Sequence, residues 1–131
     1  MDPVFLNLDE VLAFHEDQIR QHGGSTGIRD RGLLESALAA PAATFGGTFL
    51  NGDLFEMAAA YLHGLCSNHP FVDGNKRVAA VTALVFLKVN GVDLPVATKA
   101  YEAMVLAVAR GELEKSDIAV FLRHKARKPK R

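Results

Sequence analysis

The sequence predicts an all-α protein, a compact single-domain helical bundle with one short extended flap, and three features predict it. Apolar residues recur at helical spacing along most of the chain. The segments that carry them open at Asn, Asp, Thr or Ser and close at Gly, Asn or Pro, the residues that start and stop helices. Only residues 44–52, TFGGTFLNG, set aromatic and β-branched residues beside Gly-Gly and Asn-Gly, the composition of an extended flap or small hairpin.

Each element follows from local chemistry. A first helix begins after Asn7, with Glu10 at the reciprocal capping-box position and Leu8, Val11, Leu12, His15 and Ile19 on one face. Gly23-Gly24 ends it. The glycine-rich loop GGSTGIRD leads to Asp30, a cap for a short helix over residues 32–40 that Pro41 stops. After the flap, Asp53 caps a helix with Glu56 at the reciprocal position. That helix is apolar on most sides, so it is the buried one, and it ends near Asn68. A second strongly apolar helix spans 76–89 and closes at Asn90-Gly91. A brief extended piece, 92–95, precedes a helix over 98–110, and a last helix starts near Ser116.

Composition bounds the function. The 131 residues suit one domain, with 49% hydrophobic and 23% charged residues. No apolar run approaches the roughly 20 residues of a membrane span, and the N-terminus lacks the basic and apolar regions of a signal peptide. Cys66 is the only cysteine, which fits a reducing, cytoplasmic setting and reads best as a small buried hydrophobe. Net charge is zero but uneven. Residues 123–131, RHKARKPKR, form a basic tail with six Lys/Arg, leaving the domain at 1–122 with nine basic and fifteen acidic residues. An acidic body is a poor match for a nucleic-acid backbone, so no direct nucleic-acid partner is expected.

The chemistry concentrates in residues 69–77, HPFVDGNKR. Gly74, Asn75, Lys76 and Arg77 lie where the chain turns into a helix. The first N–H groups of a helix have no partner within it and carry partial positive charge. Glycine admits a phosphate closely, Asn75 offers a hydrogen bond, and Lys76 and Arg77 add two charges, together a phosphate cradle. Asp73 supplies a carboxylate beside it, suited to Mg²⁺. Histidine is the side chain that exchanges protons most readily near neutral pH, so His69 is placed to take a proton from an attacking hydroxyl. Pro70 stiffens the loop and Phe71 anchors it.

HPFVDGNKR resembles the signature of the Fic/Doc superfamily, in its death-on-curing (Doc) branch. FLNLDEVLAFHEDQI, GGSTGIRDRGLLESALAAP, TFGG and FLKVNG are also similar to Doc-type sequence, so the resemblance covers roughly residues 5–110. It implies the Fic/Doc-type helical fold. The Fic branch transfers AMP and typically shows HPFx(D/E)GNGRxxR. Here Lys76 replaces the second glycine and Ala80 the later arginine, whereas the Doc branch carries lysine at that position. The resemblance therefore implies a protein kinase using ATP and Mg²⁺, a toxin of a toxin–antitoxin pair that phosphorylates a threonine of elongation factor Tu. It implies His69 as general base, Asp73 as the Mg²⁺ ligand, and Gly74, Asn75, Lys76 and Arg77 as phosphate ligands. Residues 44–50 would align the target by strand addition. Asn68 either shapes the site or simply closes the helix. No Ser or Thr begins the inhibitory pattern (S/T)xxxE(G/N), so restraint is expected from an antitoxin whose tail folds as a helix on this protein. An AMP transferase and a silent binding protein are the alternatives.

Overall fold

In the computed structural model, which describes residues 2–95 and 98–126, helices and a hairpin follow one another in the predicted order. Helix α1 (Leu8–His22) opens with both halves of the capping box. Asn7 Oδ1 accepts the Glu10 N–H at 2.9 Å, and Glu10 Oε1 accepts the Asn7 N–H at 3.0 Å. Two of the free donors of the helix start are thus satisfied. Helix α2 (Arg31–Ala39) begins one residue earlier than predicted, with Asp30 accepting the Leu33 N–H at 3.0 Å. Pro41 does not stop the chain outright. It sits in a 3₁₀ turn, Ala40–Ala42, near whose start its missing N–H leaves no donor unpaired.

The flap is a hairpin. Strand β1 (Thr44–Phe45) pairs antiparallel with β2 (Thr48–Phe49), Thr44 opposite Phe49 and Phe45 opposite Thr48. Its base is pinned by buried Asn51, which donates to the Ala40 carbonyl at 3.1 Å and accepts from Lys115 Nζ at 2.8 Å.

Helix α3 (Leu54–Ser67) is the core element. It packs on α2, α4 (Asn75–Val89), α5 (Lys99–Ala109) and α6 (Lys115–Lys125), while α1 lies on α4. Met57, Tyr61, Leu62 and Leu65 on α3 are fully buried against Val78, Phe86 and Leu87 of α4 and Ile118 and Leu122 of α6. Each large apolar side chain so enclosed contributes about 1.5–3 kcal/mol. At Gly64 an added Cβ would stand 3.1 Å from that of Ala37, so the bare backbone lets α2 lie close on α3. The Tyr61 hydroxyl accepts the Leu6 N–H at 2.9 Å and donates to the Leu6 carbonyl at 3.3 Å, fixing the N-terminal segment to the core. Burial pushes that phenol up to about 12 and the Cys66 thiol up to about 11, so Cys66 is a packed, inert group as its sequence context suggests.

Residues 92–95 belong to no helix or paired strand. The last helix start also differs from expectation. Helix α6 starts at Lys115, because Asp117 receives the Glu114 N–H at 2.8 Å and so fixes the turn before Ser116. The expected basic tail begins inside α6, where Arg123 pairs with Asp53 at 2.8 Å and lies over the Phe55 ring. Residues 127–131 of it lie outside the described residues. No helix among the described residues is long and apolar enough to cross a membrane.

Candidate active site

The loop between the two most apolar helices carries the motif, and the helices dictate its ends. Asn68 closes α3, its N–H bonding the Gly64 carbonyl at 2.9 Å and its side chain donating to the Leu33 carbonyl of α2 at 3.0 Å. Gly74 opens α4 with φ +78°, a left-handed conformation that side-chain-bearing residues adopt only with strain. A Cβ there would also approach Ile19 Cδ1 to 3.2 Å. The first bond of the α4 ladder runs from Val78 N–H to the Gly74 carbonyl at 3.0 Å. The N–H groups of Asn75, Lys76 and Arg77 therefore precede the ladder, where an anion is favoured.

Between these ends the loop is locked from three directions. The Asn75 side chain accepts the Phe71 N–H at 2.9 Å and donates to the Phe71 carbonyl at 3.0 Å, closing a ring across the turn. One N–H of its amide thus serves the loop, and the second, with the main-chain N–H, is what it can offer a phosphate. From α1, the His15 ring stacks on Phe71 at 3.8 Å and 8°, with Nε2 at 2.7 Å from the Asp73 carbonyl. From the α1–α2 loop, a short antiparallel bridge joins Ile28 to Phe71, and Val72 N–H bonds the Gly27 carbonyl at 3.1 Å. Phe71 is 1% exposed, the anchor the sequence predicts.

The side chains left outside this framework meet in one cleft of about 540 Å³. His69, Asp73, Gly74, Asn75, Lys76 and Arg77 all line it, with Leu106 and Ala109 of α5 and Arg110, which caps that helix, as the far wall. The cleft thus gathers every predicted site residue. Asp73 Oδ2 accepts the Ser25 N–H at 3.2 Å and Oδ1 accepts the Gly74 N–H at 2.8 Å. These bonds, Ser25's first, hold its carboxyl below the usual range, with Arg77 adding charge attraction. Each oxygen keeps a further lone pair. Among the described residues no cluster of three His, Cys, Asp or Glu side chains could form an all-protein metal cage. A single exposed carboxylate beside a phosphate cradle fits Mg²⁺, which takes one or two carboxylates, substrate phosphates and water. His69 is exposed, with φ +46°, the only non-glycine residue with positive φ among those described.

Four contributors escaped the sequence reading. His15 carried a signal, a histidine on the apolar face of the first helix. Ser25 and Arg29 stood in a loop read only as glycine-rich. Arg110 gave none, because only the fold brings the end of α5 to the cleft. Ala80, in contrast, faces a neighbouring, mostly apolar groove of about 490 Å³ between α1, α4 and α5, which also takes in Lys76 and Arg77.

A model of the Fic/DOC family matches residues 5–87, more than half of the chain. The chain is 49% identical over 72 residues to a protein named Toxin Doc from Mycolicibacterium smegmatis, covering 55% of this chain and 55% of that protein. The chain thus spans about half the length of that relative. It is 34% identical over 115 residues to Protein kinase doc of Escherichia phage P1, covering 88% of this chain and 90% of that protein.

Proposed function

The chain belongs to the Fic/Doc family, in its death-on-curing branch, and from this premise we propose that it is the toxin of a type II toxin–antitoxin pair, an ATP-dependent protein kinase acting in the cytoplasm. Its substrate in this reading is a threonine hydroxyl of a translation factor, elongation factor Tu, and its effect is arrest of translation. The observation that carries the reading is Lys76, on the first turn of α4 and in one cleft with His69, Asp73 and Arg77. A cation at that position and no arginine at 80 suit a cleft that neutralises a chain of phosphates. They remove the bare backbone and second arginine with which the Fic branch places its nucleotide for AMP transfer.

In this mechanism Gly74, the main-chain N–H groups of Asn75 to Arg77, and the Lys76 and Arg77 side chains bind the phosphates of ATP. Asp73 would hold Mg²⁺, which would supply positive charge to the phosphate oxygens. His69 takes the proton from the threonine hydroxyl as its oxygen bonds to the γ-phosphorus. The bond from that phosphorus to the bridging oxygen breaks, and ADP leaves with its charge met by the cradle. Transfer of this kind needs chiefly positioning and charge neutralisation, which these groups supply. The exposed hairpin edge, with Phe45 81% exposed, suits strand addition by the target. The apolar groove beside the cleft suits an amphipathic C-terminal helix of the antitoxin. Intact-mass measurement of the target after incubation with ATP and Mg²⁺ tests the proposal. A gain of one phosphate on a threonine supports it. A gain of AMP replaces it with nucleotidyl transfer, and an unchanged mass in a tight complex replaces it with silent binding.

A further inference from the structure

Arg29 makes an arrangement that neither helix capping nor surface charge explains by itself. Its side chain reaches across the loop 40 residues away in sequence, Nε donating to the His69 carbonyl at 2.6 Å and Nη2 to the Asn68 carbonyl at 2.9 Å. The main-chain N–H groups of Arg29 and Asp30 both donate to the next carbonyl, Pro70, at 2.7 and 3.0 Å. Three successive carbonyls, of residues 68, 69 and 70, are thereby taken by one two-residue segment. Between them lies His69, whose φ of +46° is unfavourable for a residue with a side chain. A strained backbone persists only where its surroundings over-determine it. The guanidinium fork, planar and rigid, fixes two adjacent carbonyls in a set geometry, which an ammonium with freely rotating donors holds less firmly.

We infer that Arg29 is a positioning residue for His69: its fork holds the 68–69 peptide in the strained turn that presents the imidazole to the cleft. This rests on the proposed function for His69's role as base, but the geometry it asserts does not. If Arg29 only capped α3, its loss would lower stability and leave turnover per folded molecule unchanged.

The test compares Arg29→Ala, Arg29→Lys and, as a control, Arg31→Ala, which removes a neighbouring exposed arginine paired with Glu35 on α2. Target phosphorylation is measured well below each thermal midpoint. Arg29→Ala is expected to lower kcat about 10- to 100-fold with KM for ATP within about twofold, since misplacement of a reacting group acts on turnover. Arg29→Lys should recover part of kcat, and Arg31→Ala should match wild type. An Arg29→Ala protein with wild-type kcat, or a kcat loss no larger than its loss of folded protein, overturns the inference. A wild-type protein with no transferase activity would overturn the proposed function instead. The inference is then decided by the crystal structure of Arg29→Ala. A His69 φ moved out of the positive region supports it, and a φ still near +46° overturns it.

Discussion

Gly23 and Gly24 are adjacent, both have positive φ, and only one of them touches the site, so they form a matched pair. At Gly24, φ is +118° and an added Cβ would lie 2.6 Å from Asp73 Oδ2 and 3.1 Å from Ile19 Cδ1. At Gly23, φ is +80° and nothing lies within 4 Å. Both alanine variants carry backbone strain of about 1–3 kcal/mol. Only Gly24→Ala collides with the carboxylate. Ordinary contact begins near 3.4 Å, so Oδ2 must retreat by about 0.8 Å. Its bond to the Ser25 N–H, already 3.2 Å, would not survive that shift. Loss of a partner that orients a metal-binding carboxylate typically weakens metal binding 10- to 100-fold. Gly24→Ala should therefore raise the Mg²⁺ concentration needed for half-maximal phosphorylation about 10-fold or more, and Gly23→Ala should not. The pH dependence follows in sign. Asp73 is held below the usual carboxylate range first by Ser25 and then by Gly74. A depressed carboxyl works above its own pKa and fails as pH falls through it. Without Ser25 it rises, so the acid limb of activity should move to higher pH in Gly24→Ala alone. Equal Mg²⁺ requirements and equal acid limbs in the two variants, each assayed below its thermal midpoint, would refute the assignment of Asp73.

Three further substitutions probe the cleft and the core. His69→Ala should reduce target phosphorylation about 10²-fold or more with the circular-dichroism melt unchanged, because the lost side chain is exposed and its proposed role is proton transfer. Lys76→Gly should weaken phosphoryl transfer and permit some AMP transfer, both visible by intact mass. Full kinase activity in that variant would remove Lys76 from the phosphate ligands. Thr82 is fully buried on α4 with no hydrogen-bond partner for its hydroxyl among the described residues. Thr82→Val should stabilise the protein by about 1 kcal/mol, read as a higher thermal midpoint, since an apolar group of the same shape removes an unpaired polar atom.

Helix identity was legible because each helix has a local cause. Asn7, Asp30, Asp53 and Thr98 each cap the helix that follows, and those contacts span three residues. Where the cause lay one residue away, as with Asp117 pairing Glu114, the sequence misplaced the start by one. Pro41 read as a stop because the sequence does not distinguish an end from a continuation as a 3₁₀ turn. The motif was legible as a helix start because Gly74 to Arg77 are consecutive. What holds that turn in place was not legible. His15 and Arg29 reach the motif from 58 and 40 residues away, and no local pattern marks a contact at that separation. Asn75 shows the limit from the other side. It lines the cleft as expected, yet only the folded loop reveals that its amide also bonds Phe71 in both directions.

These long-range contacts also leave the backbone of the loop almost fully partnered. The carbonyls of residues 68 to 71 and of Asp73, and the N–H groups of Phe71, Val72 and Gly74, all have protein partners. A buried or half-buried backbone so satisfied has no reason to rearrange when phosphate arrives. The groups not enlisted in the framework are the exposed His69, Lys76 and Arg77 side chains and the N–H groups ahead of the α4 ladder. Electrostatic stabilisation is strongest where the dipoles are already aimed before charge develops, because none of the binding energy then goes into reorganisation. The division matches the proposed function: α1 and the 24–30 loop fix the backbone, and the side chains that remain are those to which the chemistry is assigned. Damage to the first set should displace His69 or Asp73 while leaving the phosphate contacts largely intact, and damage to Lys76 or Arg77 should weaken the phosphate contacts and transfer together.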